Sequence, residues 1–151
     1  MEFETARTVV YPWQCDLMGH LATQNYMRIF DDATYHLLAR VGCVLSRMPD
    51  TRLGWADVSH HVEYRKEVLP GDLLVAMSSI IGLGRTSLKY RTRLLRTDGD
   101  SAECAVLTGV AVHFDLEKRI AIELPPDPRA RAQALLDETT PHLDSGIRTK
   151  F

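Results

Sequence analysis

The chain has 151 residues, a formal net charge of −2, and 25% charged and 45% hydrophobic residues, an ordinary globular composition. That balance excludes a strongly basic nucleic-acid-binding domain, and a membrane partner is not expected either. A single domain of this length buries roughly 70% of the surface its unfolded chain exposes, so one core needs no staples.

The first ten residues are acidic at the front and lack an apolar stretch, so no signal peptide is expected. Residues 4 to 11 read as a strand through Thr5, Thr8, Val9, Val10 and Tyr11, and Pro12 ends its pairing. Trp13 to Ala22 reads as a loop turning at Gly19, with Thr23 as an N-cap. A helix follows over about residues 24 to 41. Tyr26, Phe30, Ala33, Leu37 and Val41 form its apolar stripe, Met27, Ile29 and Leu38 widen it, and Gly42 stops it. Residues 43 to 56 read as irregular. Val58, Val62, Tyr64 and Val68 alternate with polar residues as a half-buried strand, and Pro70-Gly71-Asp72 turns the chain. Leu73 to Leu83 is apolar on both faces, as in a central strand, but too short for the roughly 20 residues a bilayer needs. After a turn at residues 82 to 85, Thr86 to Thr97 places Leu88, Tyr90 and Leu94 inward and Lys89, Arg91 and Arg93 outward. Asp98-Gly99 predicts a two-residue hairpin into a Val-rich strand from Glu103 to Asp115. A short helix is expected over residues 129 to 138, closing a single domain of residues 1–138, with a surface tail over 139–151. Cys15, Cys43 and Cys104 form no CxxC pair and read as free thiols of a cytoplasmic protein.

Strand, long helix, then four antiparallel strands is an α+β order in which one curved sheet buries one helix. Together with one local motif it resembles the hot-dog thioesterases of the 4-hydroxybenzoyl-CoA thioesterase type. The motif stands as Asp16, Gly19, the pair Asn25-Tyr26, and Phe30 to Ala33 with its two acidic residues, and Tyr64 to Asp72 is similar to the family's Tyr…Pro-Gly-Asp segment. The resemblance implies a hot-dog fold, hydrolysis of an acyl-CoA and no cofactor. It also implies a homodimer or homotetramer, and a donor amide at Thr23 for the thioester oxyanion. Ala22 stands where many relatives carry Asn, and Thr23 where some carry His.

A thioester hydrolase needs a nucleophile or an activated water, donors for the developing oxyanion, and a seat for the thiol carrier. Asp16 serves the first need either by attacking the carbonyl or as a general base on water. Helix N-terminal amides serve the second. His20 either orients Asp16 or is structural. Thr23, Asn25, Tyr26 and His61 are the expected substrate contacts. Arg85, Lys89 and Arg91 are candidates for coenzyme A phosphates, against a plain solvated strand face. Asp32 pairs at helical spacing with Arg28 and His36, which reads as a solvated or dimer-facing polar side. Because some hot-dog thioesterases of a different branch use an acid on this helix, the resemblance makes Asp32 the reserve catalyst. Cys15 reads as small filler. His60 and His61 are adjacent on a strand and point to opposite faces, so no metal is expected between them. Trp13, Met18, Tyr26 and Trp55 are candidates for the acyl pocket. Two alternatives stand beside hydrolysis. A hydratase or dehydratase would need an Asn-Pro step that is missing between Asp16 and His20, and a non-catalytic acyl-CoA binder would not need Asp16.

Overall fold

The structure is a computed structural model that describes residues 1–136. Strand β1 (Glu2–Val9) leads through the 13–22 loop into helix α1 (Thr23–Arg40). A short helix α2 (Met48–Thr51) precedes strands β2 (Leu53–Tyr64), β3 (Leu73–Leu83), β4 (Ser87–Arg96) and β5 (Glu103–Asp115). A two-residue strand β6 (Ile120–Ala121) and helix α3 (Pro126–Ala134) follow. The sheet is antiparallel in the order β1-β3-β4-β5-β2, with β6 on the end of β5. This is the hot-dog arrangement, a curled sheet around one long helix.

The expected stripe of α1 is the buried one. Tyr26, Phe30, Ala33, Leu37 and Val41 are all 5% exposed or less, and Ile29, Thr34 and Leu38 join them. They meet three cross-strand rows on the inner face of the sheet: Ala76–Leu94–Ala105, Ser78–Thr92–Leu107 and Ile80–Tyr90–Gly109. The middle row, Leu107 apart, is polar yet wholly buried. It is satisfied by a chain of hydroxyls, with Thr5 Oγ1 2.7 Å from Ser78 Oγ and Ser78 Oγ 2.8 Å from Thr92 Oγ1.

Four expectations are corrected. Residues 53 to 56 are strand, because β5 runs on to Asp115 and its far end pairs Leu53 and Gly54 with Asp115 and Phe114. At its other end β2 stops at Tyr64, where the amides of Arg65 and Lys66 both turn to the Cys104 carbonyl. Val68 is fully buried but lies beyond the strand, where its carbonyl accepts from the Leu21 amide. Residues 97 to 102 form a longer connection instead of a two-residue hairpin. Gly99 and Ser101 both take positive φ, and Asp98 and Asp100 reach out of the turn to the Leu73 amide and Lys66. Thr23 is not the N-cap. Ala22 is extended and its carbonyl already accepts from the Asn25 and Tyr26 amides, so the helix opens one residue earlier without a side-chain cap. The C-terminal helix is seen as α3, with prolines in its first turn where a missing N–H costs nothing. The end of its expected span and the tail from 139 lie outside the described residues.

Among the described residues no helix is long and apolar enough to cross a membrane, no cluster of three ligating side chains forms a metal site, and the three cysteines are free.

Candidate active site

The loop before α1 is closed on itself around Asp16. The Asp16 amide donates to the His20 carbonyl, Gly19 at φ +80° returns an amide to the Asp16 carbonyl, and Cys15 bridges Leu21. A side chain at that φ is strained, which accounts for the glycine. Asp16 Oδ1 accepts from the Met18 amide at 2.8 Å and the His20 amide at 3.3 Å, whereas Oδ2 has no partner among the described residues. One carboxylate oxygen thus holds the loop and the other faces outward on an exposed residue.

Gln14 ties this loop to the helix start. Its carbonyl accepts from the Ala22 amide at 3.0 Å and from Asn25 Nδ2 at 2.7 Å. The amides of Thr23 and Gln24 have no acceptor among the described residues, as expected for the first turn of a helix. The loop carries an exposed apolar patch, with Leu17 fully exposed and Trp13, stacked on Tyr11, and Met18 each 76% exposed.

The other predicted residues are spread more widely. The His20 ring approaches Glu67 at 3.4 Å, so His20 meets Asp16 through its backbone amide and carbonyl and not through its ring. Asn25 is engaged with the loop. Tyr26 is buried edge-on against Tyr64, and burial pushes its phenol up to about 12. His61 is exposed on β2, 3.6 Å from Glu63. Arg85 lies in the β3–β4 turn, paired with Glu123 at 2.8 Å. Lys89 and Arg91 sit on the sheet face turned away from α1, opposite in the pleat to the buried Leu88 and Tyr90, with Arg91 between Ser79 and Thr108. Asp32 is held by Arg28 at 3.2 Å. Trp55 packs against His113 and lines a separate cavity with Cys43, whose thiol is pushed up by burial.

A second constellation was not assembled by sequence reasoning. A cavity of about 390 Å³ opens beside α1, lined among others by Gln24, Arg28, Asp31, Thr34 and His60. Bonded to two of these lining residues, Thr34 and His60, is the buried Tyr90 hydroxyl, which donates to Asp57 Oδ1 at 3.1 Å. His60 Nε2, 3.1 Å from the same phenol oxygen, then acts as its donor. Thr34 lies 3.3 Å away while its hydroxyl bonds the Phe30 carbonyl. Asp31 is an exposed residue whose carboxyl is raised above its ordinary value by partial desolvation; the nearby Asp57 and Asp32 charges add to that, and His60 opposes it. The usable signal was helical spacing, since residues 24, 28 and 31 share a face with Phe30 and Thr34 beside them. Which of Asp31 and Asp32 turns to the cavity depends on the rotation of the helix.

Comparisons with known proteins agree with this architecture. The thioesterase-like superfamily pattern matches residues 10–134. An L-carnitine dehydrogenase/betainyl-CoA thioesterase of Agrobacterium fabrum is 27% identical over 139 residues, covering 88% of this chain but only 28% of that protein. A Staphylococcus aureus protein solved in complex with CoA superposes with a TM-score of 0.81 at 16% identity, covering 100% of this chain and 97% of the other. A 1,4-dihydroxy-2-naphthoyl-CoA thioesterase from Synechocystis does so with 0.78 at 15% identity, covering 89% and 98%. With the pattern spanning most of the chain and the hot-dog fold present, the chain belongs to the thioesterase-like superfamily.

Proposed function

We propose that the protein hydrolyses an acyl-CoA thioester to the free acid and coenzyme A, with Asp16 as the reacting carboxylate. The observation that carries this reading is that Asp16 Oδ2 and the amides of Thr23 and Gln24, which have no partner among the described residues, belong to one loop and helix start tied together by Gln14. The amides supply donors and the positive end of the helix dipole where oxyanion charge develops. The carboxylate attacks the carbonyl carbon and expels the thiolate, forming an anhydride that water opens. Alternatively it takes a proton from the water that attacks. The relative that acts on betainyl-CoA and the neighbour that binds CoA support the substrate class. Thiol release from a panel of acyl-CoAs, run beside enoyl-CoA hydration, tests it. Hydration without thiol release would replace it with the hydratase reading.

The working unit is a homodimer or a homotetramer located in the cytoplasm. β2 is a 12-residue outer strand paired on one side only among the described residues, with Val58 61% exposed, and such edges are usually covered. Light scattering at micromolar concentration is expected to give at least twice the chain mass, and a fully active monomer would contradict this.

Arg85, Lys89 and Arg91 contribute to the seat for the coenzyme A phosphates. Replacing all three with Gln is expected to raise KM, and the effect should shrink with added salt, because exposed charges are screened over about 8 Å at physiological ionic strength. Arg85→Gln alone, compared with the Lys89→Gln/Arg91→Gln pair, separates the turn from the outer sheet face. An unchanged KM in all three variants would place the nucleotide elsewhere.

A further inference from the structure

The cavity beside α1 has a chemistry of its own. Gln24 lies in the first turn of the helix and Asp31 seven residues on, about 10 Å along the axis at 1.5 Å per residue. Helical side chains lean towards the N-terminus, so the Asp31 carboxylate reaches back over that span. An acyl group whose carbonyl meets the opening amides would lie along this face with its far end near Asp31.

The groups already satisfied leave one charge open. Arg28 is neutralised by Asp32. Asp57 accepts from Tyr90 and has His60 Nε2 at 3.5 Å. Asp31, which lines the cavity, has no hydrogen bond or ion pair among the described residues, and the charges of Asp57 and Asp32 lie near enough to act on it. The site is also sterically built. A Cβ on Gly109 would lie 2.4 Å from Tyr90 Cζ and 2.6 Å from its oxygen, so the bare glycine is what lets the phenol reach Asp57 and His60. Phe30 and Met27 give the cavity apolar walls. Carboxylate beside apolar surface suits a weakly hydrated cation, which needs charge and contact but no directed hydrogen bonds.

Resting on the thioesterase reading above, we propose that this cavity takes the far end of the acyl group and that Asp31, backed by the Tyr90-held Asp57, selects acyl groups ending in an alkylammonium cation. The same arrangement repels acyl groups that end in a carboxylate.

The test uses two acyl-CoAs of one shape, 4-(trimethylammonio)butyryl-CoA and its neutral isostere 5,5-dimethylhexanoyl-CoA, with 4-hydroxybenzoyl-CoA as a third arm. Wild type is expected to show kcat/KM about tenfold or more higher for the cation than for the isostere. Asp31→Asn should bring the ratio towards one by lowering the cationic arm alone, and Asp31→Glu should keep the preference. Asp31→Asn should also keep or raise the melting temperature at pH 7. A folded carboxyl held above its unfolded value loses stability as pH rises through that range, so removing its charge relieves the protein, and the gain should vanish in acid. A ratio of one or below in wild type, a ratio untouched by Asp31→Asn, or a preference for 4-hydroxybenzoyl-CoA overturns the proposal. Calorimetric binding of the same pair to Asp16→Asn gives the ratio independently of turnover. If wild type cleaves none of the three, hydrolysis itself is wrong, and the binding ratio still decides the selectivity.

Discussion

Asp16→Asn is expected to fold normally and lose nearly all thioester hydrolysis. The amide has nearly the size of the carboxylate, and its oxygen still accepts from the Met18 and His20 amides that now meet Oδ1, so the loop geometry survives. What disappears is the outward oxygen's charge. An amide neither attacks a thioester carbonyl nor takes a proton from water at neutral pH. Loss of general-base assistance alone costs about 10²–10⁴-fold, and loss of a covalent path costs more. Binding of acyl-CoA should persist, because the helix amides remain. Asp32→Asn is the matched comparison. Its carboxylate is occupied by Arg28, so turnover of a neutral acyl-CoA should stay within a few-fold of wild type. Turnover of both variants, with circular dichroism to confirm folding, decides it. An active Asp16→Asn beside a dead Asp32→Asn would move the catalyst onto the helix.

The second large effect concerns the packing of Tyr90 across the sheet on Gly109. Gly109→Ala is expected to destabilise the protein by about 1–3 kcal/mol, the usual cost of forcing atoms into a packed core. The added methyl would overlap the Tyr90 ring, whose partners Asp57, His60 and Thr34 leave it no easy retreat. A domain of this size moves its melting temperature by about 2–4 °C per kcal/mol, so the shift is readily seen by thermal denaturation. In a Tyr90→Ala background the same substitution should cost little, because the clash has lost its second member. Additive effects in that double-mutant cycle would show that the glycine serves something other than the tyrosine.

The inner-face pattern of α1 and β4 was legible in the sequence because helix and pleat periodicities are local. Tyr26, Phe30, Ala33, Leu37 and Val41 face inward wherever the helix lies, and Leu88, Tyr90 and Leu94 likewise. The turn at Gly19 was legible too, since it spans few residues, whereas the bond from Asn25 to the Gln14 carbonyl was not read. The long-range partners were not. Residues 53 to 56 become strand only because β5 extends to meet them, and the aspartates of the 98–100 turn serve the Leu73 amide and Lys66, distant in the chain. Arg85, Lys89 and Arg91 read as one basic group along a strand, yet the fold gives Arg85 to Glu123 and turns Lys89 and Arg91 to the face away from the helix. The cavity is the clearest case. Asp31, Asp57, His60 and Tyr90 come from α1, β2 and β4, and no spacing in the chain relates them. Composition and periodicity determined which faces had to be buried. Only the tertiary packing of the helix across the sheet decided which polar side chains would meet at the boundary of that burial.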